Sequence, residues 1–317
     1  MSHPTSTPIA PVSPSLSGRA AGWTGEPRTL RLLALLSVIV SVGIVVTGGA
    51  VRLTDSGLGC PNWPRCVGSS LVPRSKLGIN GAIEFTNRTL TFVVGVVLLA
   101  TLLVAWRQRR HVRLAALAFA GVPAQALLGG LVVLTDLNPW LVAAHFLLSA
   151  AIIAVTYLLW WRAADRDGVA APAPVRLLAT ALAGVAALVL VAGTVVTGTG
   201  PHAGDLHHGT IKRIDLPITG ATQLHADLVM VLIGLTLGVV AAAWTFGSVR
   251  LRQAALALLG VELAQGVIGY TQYFLDVPPL LVGIHMLGAC LVWLAALQVL
   301  LTAGPVRGTR AVGTPPA

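Results

Sequence analysis

The sequence predicts an all-α integral membrane protein with eight transmembrane helices. The chain has 317 residues, of which 55% are hydrophobic and only 10% charged, and its mean hydropathy is +0.83. A soluble protein of this size would carry a more charged surface. A helix that spans a bilayer needs roughly 20 apolar residues. Eight stretches meet this requirement: 30–51, 82–105, 112–134, 140–161, 175–197, 222–246, 252–273 and 279–302.

Composition and charge describe the rest of the chain. Residues 1–28 and 304–317 are rich in small residues and proline, which is typical of disordered tails.

The formal net charge of +10 would suit binding to nucleic acid. The arginines, however, cluster at the ends of apolar runs, so we expect no nucleic-acid binding. Fourteen of the 21 basic residues fall on one side of the predicted membrane, which makes both termini cytoplasmic by the positive-inside rule.

An internal repeat relates the two halves of the chain. The segments "AQALLGGLVVLTDLNPWLVAAHFLL" from 124 and "AQGVIGYTQYFLDVPPLLVGIHMLG" from 264 align at a fixed offset. Their identical positions include Gln, Asp, Pro and His, which shared apolar composition does not produce. The repeat predicts two tandem four-helix bundles related by a parallel duplication, at 29–162 and 175–303, with a cytoplasmic linker at 163–174.

Three histidines lie inside predicted helices: His145, His225 and His285. Each follows an outer loop by a few residues, so a rise of about 1.5 Å per residue places all three at one depth. A single histidine in a span is as often a buried hydrogen-bonding group. Two at matched depth on parallel helices favour a metal or heme site, so we expect His225 and His285 to bind one iron from both sides.

The first half carries an incomplete copy of this pair. His145 is the repeat partner of His285, but the partner of His225 falls on Asn87. Asparagine is a poor iron ligand. We therefore expect one histidine to hold iron there, with the opposite position open or water-bound, which suits a substrate or a reactive centre.

The stretch "GAIEFTNRTL", residues 81–90, places polar side chains at the mouth of an apolar helix. Glu84, Asn87 and Arg88 share one helical face. Glu84 and Arg88 either pair to ease their burial, or act separately. In the second case Glu84 accepts a proton and Arg88 neutralises an anionic group such as a heme propionate. The spacing leaves both interpretations open.

The outer loops add further candidates. Cys60 and Cys66 flank "PNWPR" and can form a disulfide on this side of the membrane, as a structural staple or as a redox-active pair. The Gly-rich segment "GTGPHAGD", 198–205, allows close approach of a large planar ligand, with His202 as a polar contact at its rim. His207 and His208 either bind a metal or remain solvated.

The motifs "GGAVRLTDSGLGCPNWPRC", "IEFTNR", "GTGPHAGD", "QLHAD" and "GIHMLGA" together resemble the heme A synthase family, of the actinobacterial type, over residues 30–302. The resemblance implies an oxidoreductase of the bacterial plasma membrane. It would oxidise the ring D (C8) methyl group of heme O to a formyl group by successive hydroxylations, giving heme A for cytochrome c oxidase. It also implies a heme b held by His225 and His285, and heme O bound in the first half with His145 as ligand.

The resemblance also assigns roles to Glu84 and the outer-loop cysteines, and the chain departs from the family pattern at two points. Glu84 matches the family's glutamate that is important for activity, and Cys60 and Cys66 match its outer-loop cysteine pair. Asn87 stands where many members carry histidine, and the loop between helices 5 and 6 lacks the second cysteine pair of some members. The heme propionates need cations near the outer surface, and four lie there: Arg52, Arg88, Lys212 and Arg213.

The expected partners are heme O, the lipid bilayer, a heme O synthase (protoheme farnesyltransferase) and an electron acceptor, with a homo-oligomer left open. Two alternatives compete with a synthase. A membrane diheme cytochrome that relays electrons from quinol predicts two bis-histidine sites, and Asn87 argues against one of them. A transporter is the other alternative, but transporter repeats are commonly inverted and this repeat is parallel.

Overall fold

A computed structural model describes residues 26–73, 78–205 and 211–305, and these residues form eight α-helices. All eight are long and apolar enough to cross a membrane, which confirms the predicted all-α membrane protein. The predicted tails outside residues 26–305, and the pair His207 and His208, lie outside the described residues. The helices are α1 (Pro27–Leu53), α2 (Gly78–Arg107), α3 (Val112–Leu134), α4 (Pro139–Ala163), α5 (Ala173–Thr199), α6 (Ile218–Thr245), α7 (Val249–Phe274) and α8 (Pro279–Ala303).

The helices extend beyond the apolar stretches that predicted them. α2 begins at Gly78 instead of 82, and α6 begins at Ile218 instead of 222. Hydropathy marks the apolar part of a helix, whereas helical hydrogen bonding continues into polar residues at its ends. Glu84 therefore lies inside α2 and not at its mouth. α1 begins at Pro27, within the segment predicted as a tail.

The repeat is visible in the turns that precede α4 and α8. Asp136 and Leu137 have φ angles of 52° and 57°, and Asp276 and Val277 have φ angles of 56° and 60°. Left-handed backbone is unusual for leucine and more so for the β-branched valine. Each helix then starts with a proline, where the missing N–H costs nothing. The two turns thus share an uncommon backbone path at the offset seen in the sequence.

Helix contacts divide the molecule into two groups. In the first unit, α1–α4, both α1 and α3 pack against α2 and α4. In the second unit, α5–α8, both α5 and α7 pack against α6 and α8. Contacts of α1 with α8, and of α4 with α5 and α8, join the units. Tandem four-helix bundles and their origin by duplication stay predictions.

Each unit has its own apolar core. In the first unit, Leu30, Val104 and Leu159 are central to a buried cluster. A larger cluster in the second unit includes Leu182 and Leu258. Burying a leucine side chain contributes roughly 1.5–3 kcal/mol relative to exposure in water. In a bilayer the lipid is equally apolar, so packing and hydrogen bonds decide how the helices associate.

Large apolar side chains also cover the outside of the bundle. Phe92 and Leu280 are each 76% exposed, and many further leucines and valines are similarly open. A water-soluble protein rarely exposes so much contiguous apolar surface. This surface is the face that contacts lipid.

One end of the bundle carries the longer connections. We call it the long-loop end, and it comprises residues 54–73, 135–138, 200–205, 211–217 and 275–278. The Gly57 amide donates to the Gly204 carbonyl at 2.7 Å, and the His202 ring contacts the Val277 carbonyl through Nε2 at 2.8 Å. The first bond joins loops of the two units, and the second joins two loops of the second unit. Its placement outside the membrane stays a prediction.

Close side-chain packing holds the units together within the span. A Cβ added to Gly49 of α1 would lie 2.7 Å from Cε of Met286 on α8, so this methionine fills the groove that the glycine leaves. The Trp293 indole donates to the Ala150 carbonyl at 2.9 Å. At the opposite end, the Val169 amide of the connection between the units donates to the Thr302 carbonyl at 2.8 Å.

We expect Gly49→Val to loosen this interface. The added side chain overlaps Met286, and overpacking of this kind costs about 1–3 kcal/mol. Thermal unfolding of the detergent-solubilised protein measures the loss. Gly43→Val is the matched control. Gly43 lies on the same helix, and a Cβ added there meets no neighbouring atom within 4 Å. Met286→Ala should partly rescue Gly49→Val, and equal melting temperatures for both valine variants would contradict the proposed contact.

Candidate functional site

Each of the three intramembrane histidines lies against a glycine of the neighbouring helix. A Cβ added to Gly129 would lie 3.1 Å from Cε1 of His145. The matching distances are 3.3 Å from Gly193 to His225 and 3.4 Å from Gly269 to His285. A side chain at these glycines would push on the imidazole ring. The glycines therefore fix where each ring can lie within its unit.

His225 of α6 and His285 of α8 face each other in the second unit. Their ring centres are 6.5 Å apart and their planes are inclined by 67°. Two imidazoles that ligate one metal from opposite sides place their ring centres roughly 6 Å apart, because each nitrogen–metal bond is about 2 Å long. The spacing expected from matched depth is thus present.

In each of the three histidines, the ring atoms nearest the backing glycine include Nδ1. Nδ1 is buried without a hydrogen-bond partner in His145, His225 and His285 alike. A buried polar atom without a partner is costly, so such groups usually have one in the working protein. Among the residues that the structure describes, no three His, Cys, Asp or Glu side chains gather to hold a bare ion. A pair of imidazoles therefore fits a metal that brings its own equatorial donors, as a porphyrin iron does.

Glutamines fix the helices that carry two of these histidines. The Gln125 amide of α3 donates to the His145 carbonyl at 3.1 Å, and the Gln265 amide of α7 donates to the His285 carbonyl at 2.8 Å. The bonds are equivalent under the 140-residue offset. They hold each histidine-bearing helix in register with its neighbour.

Asn87 lies in the first unit where His225 lies in the second. Its Nδ2 would be 3.9 Å from a Cβ on Gly48 of α1, as the ring of His225 lies against Gly193 of α5. Its Oδ1 accepts a hydrogen bond from the Thr47 hydroxyl at 2.8 Å. No hydrogen bond in the described part of the chain joins Asn87 to His145. Asn87 is therefore held within the first unit by Thr47 and lies against Gly48.

Glu84 and Arg88 form a buried ion pair that also binds the outer loop. Glu84 is 5% exposed, and its Oε1 accepts from Arg88 Nε at 3.0 Å and Nη2 at 2.5 Å. Its Oε2 accepts from the Cys60 amide at 2.5 Å. Arg88 further donates to the carbonyls of Cys60 and Asn62. Pairing of the two residues, one of the two interpretations of their spacing, is thus observed.

The loop held by this pair covers the first unit. Cys60 and Cys66 form a disulfide, and both cysteines are buried. The Trp63 ring between them lies on Gly130 of α3, where a Cβ would come within 2.5 Å of the ring. Residues 57–66 thus form a lid on α2 and α3, which we call the disulfide lid.

Charged residues at the rim bind the loops to one another. Arg52 at the end of α1 donates through Nε to the His202 carbonyl at 2.8 Å and through Nη2 to the Thr197 carbonyl at 2.9 Å. Lys212 is exposed and Arg213 is half-buried. Partial burial lowers the pKa of Arg213 from its ordinary value. The proposed propionate contacts Arg52, Lys212 and Arg213 therefore lie at the long-loop end, while the nitrogens of Arg88 already donate within the protein.

The sequence predictions missed Glu262, a buried acidic residue of the second unit. Glu262 of α7 is 2% exposed and accepts a hydrogen bond from the Thr236 hydroxyl at 2.8 Å. The sequence contained a signal for this residue, because Glu262 is an acidic residue that interrupts the apolar run "ALALLGVELAQGVIG". Acidic residues inside spans are rare and usually functional.

Eight helices, paired imidazoles on facing helices and a disulfide-closed lid define the class: a multi-pass membrane protein with candidate heme sites. The family model COX15-CtaA, described as cytochrome oxidase assembly protein, matches residues 31–82 and 78–204. The match covers more than half of the chain, and the chain belongs to this family. It includes Glu84, Asn87 and His145, and it ends before His225 and His285.

Curated relatives agree with the family match. Proteins named heme A synthase are each 36% identical to the chain in Lysinibacillus sphaericus, Alkalihalophilus pseudofirmus and Bacillus cereus, over 137, 135 and 142 residues. The alignments cover 42%, 40% and 41% of this chain, and 44%, 45% and 45% of the relatives. The chain thus spans less than half the length of the curated relatives it matches. The actinobacterial type stays a prediction.

The ion pair under the disulfide lid gives a stability prediction. Arg88→Gln leaves the Glu84 carboxylate buried without its charge partner, and breaking a buried pair in this way costs about 3–5 kcal/mol. The same change at Arg110, whose partner Asp165 is exposed, should cost only about 0–1 kcal/mol. Thermal unfolding in detergent compares the two variants. A double variant Glu84→Gln/Arg88→Gln that unfolds well below Arg88→Gln would contradict this account.

Proposed function

We propose that the chain is a heme A synthase, which oxidises the ring D methyl group of heme O to a formyl group by successive hydroxylations. The carrying observation is the facing pair His225 and His285, whose ring spacing fits a porphyrin iron between them. The first unit repeats the arrangement with one histidine only. Relatives that carry the name heme A synthase support the same assignment.

The second unit, proposed at 175–303, would hold heme b. When bound there, a bis-histidine heme supplies a site that accepts and passes on electrons. The protein contributes two rings fixed by Gly193 and Gly269, and a helix held in register by Gln265. These contacts restrict ring movement, which favours fast electron transfer because little rearrangement accompanies it.

The first unit, proposed at 29–162, would bind heme O through His145. Asn87 offers no strong iron ligand, and its carbonyl oxygen already accepts from Thr47. The position opposite His145 is therefore left to a small molecule, which suits oxidation of a substrate. This asymmetry argues against a diheme relay, which needs two six-coordinate sites. A lipid-facing gap between helices would admit the farnesyl tail of heme O.

Glu84 would accept the protons released as the methyl group is oxidised. Its carboxylate is fixed by Arg88 and by the Cys60 amide. A change in its charge would therefore alter the hydrogen bonds that hold the disulfide lid. Arg52, Lys212 and Arg213 lie at the rim where heme propionates would end, with Arg88 and His202 as further candidate contacts. The disulfide between Cys60 and Cys66 would then act as a staple for the lid.

The surroundings of the enzyme follow from this chemistry. Heme O has to be supplied by a heme O synthase, and the electrons need an acceptor. The excess of basic residues on one side places both termini in the cytoplasm and the long-loop end outside. A homo-oligomer is compatible with the exposed apolar surface.

Co-expression with a heme O synthase in a host that lacks heme A tests the function. We expect chromatography of extracted hemes to show heme A with the wild-type chain. Glu84→Gln should let heme O or its hydroxylated product accumulate, with heme A lowered at least tenfold, because removal of a general base costs about 10²–10⁴ in rate. Unchanged heme O with the folded wild-type chain would overturn the proposal. Normal heme A from Glu84→Gln would overturn only the proton-acceptor role.

Optical spectra of the purified protein test the ligands. His225→Ala or His285→Ala should abolish the low-spin b-type spectrum, because each removes one of the two imidazoles that would hold the heme iron. His145→Ala is the matched comparison, since it should keep that spectrum and lose retention of heme O. A low-spin spectrum that survives both second-unit substitutions would contradict the pairing.

A further inference from the structure

Glu262 is a buried carboxyl group in the middle of the second unit that the proposed reaction leaves unused. It lies 13 residues into α7, which begins at Val249, and only 2% of it is exposed. Its Oε1 is 2.8 Å from the Thr236 hydroxyl of α6. Its Oε2 is buried and has no hydrogen-bond partner among the described residues.

The hydrogen bonds around Thr236 favour a neutral carboxyl group. The Thr236 hydroxyl lies 3.0 Å from the Leu232 carbonyl and 2.8 Å from Glu262 Oε1, but it has one proton to donate. A protonated Glu262 donates to Thr236, which then donates to Leu232, so that each bond has its own proton. An ionised Glu262 would leave charge on Oε2 in apolar surroundings, which is costly.

Among the described residues, no charged group pairs with the carboxylate. α6 and α8 pack against α7. The titratable residues of α6 are His225 and Asp227, and those of α8 are His285 and Cys290. None of them forms a hydrogen bond or an ion pair with Glu262, and the same holds for the other ionisable residues of α7: Arg250, Arg252, Tyr270 and Tyr273.

The first unit has no counterpart to this group. The 140-residue offset that pairs Gln125 with Gln265 places Val122 opposite Glu262. The glutamine bond to the histidine-bearing helix is kept in both units, while the carboxyl group is present in one. Glu262 is therefore connected with what distinguishes the second unit, which under the proposed function is electron transfer.

We propose that Glu262 is a proton-binding site linked to the electron carried between His225 and His285, an inference that rests on the proposed function. An oxidised iron porphyrin held by the two histidines would bring net positive charge and would favour the carboxylate form of Glu262. One electron released by oxidation of the substrate methyl group would cancel that charge, and Glu262 would then take up one proton from solution to become the neutral acid. Electron and proton thus enter the second unit together, and charge within the membrane stays balanced.

The spacing sets the size of this coupling. Glu262 lies seven residues along α7 from Gly269, which lies against His285, and its partner Thr236 lies 11 residues along α6 from His225. The rise per residue therefore places the carboxyl group roughly 10–16 Å along the helix axes from the histidine pair. One unit charge at that distance changes proton affinity roughly tenfold at an effective dielectric constant of about 20. By linkage, protonation of Glu262 changes the affinity of the heme for its electron by the same factor. A tenfold factor corresponds to about 59 mV for a one-electron couple.

Infrared spectroscopy of the purified full chain tests the protonation state. With dithionite at neutral pH, we expect a protonated-carboxyl band that shifts in D2O and is absent from Glu262→Gln. The same band is expected if no heme is bound, because no positive charge is then present. A wild-type spectrum without this band would overturn the neutral carboxyl group.

Redox titration of the heme-containing protein at several pH values tests the coupling. The midpoint potential should fall by about 59 mV in total as pH rises through the titration of Glu262, following the tenfold coupling, and Glu262→Gln should remove this step. Thr236→Val keeps the carboxyl group and should move the step along the pH axis without removing it, which also covers the case in which Glu262→Gln does not fold. Equal pH dependence in wild type and Glu262→Gln, or a step unmoved by Thr236→Val, would overturn the coupling. A chain that never binds heme would instead overturn the proposed function, and the coupling with it.

Discussion

A bilayer offers no hydrogen-bond partners, so polar side chains within the eight helices must be satisfied by the protein or by what it binds. Most of them are satisfied internally: Glu84 by Arg88 and Cys60, and Asn87 by Thr47. The exceptions include Nδ1 of His145, His225 and His285 and Oε2 of Glu262, which are buried without a partner among the described residues. These unsatisfied groups are therefore the ones from which ligand and proton sites are argued.

The two units differ where their tasks would differ. They share glycine-backed histidines, glutamine bonds to the histidine-bearing helices, and turns with the same left-handed backbone. They diverge at Asn87 against His225 and at Val122 against Glu262. The disulfide lid covers only the first. Under the proposed function, a repeated scaffold with a few altered residues would support a substrate site and an electron-transfer site side by side, because the shared contacts fix the backbone while the polar residues differ.

The sequence predicted the helices well because apolar length is a strong signal in membrane proteins, although polar helix ends such as Gly78–Gly81 escaped it. It also identified the histidines and Glu84, because isolated polar residues stand out against apolar runs. It did not predict the glycine behind each histidine. Those pairs join different helices, and glycine is common in all of them. The ion pair of Glu84 with Arg88 followed from spacing, but its bonds to the lid did not, since they depend on how residues 57–66 fold back. Glu262 was missed although its signal was equally plain, because it had no partner in the repeat.

The contact of Met286 with Gly49 has a consequence for communication between the units. Met286 follows His285 in sequence, and Gly49 follows Gly48, which lies against Asn87. Residues that flank the two candidate heme sites therefore meet at the α1–α8 contact, where the Met286 thioether packs on Gly49. Under the proposed function an electron would cross this contact by tunnelling within one polypeptide, and no diffusible carrier would be needed between oxidation of the substrate and its first acceptor.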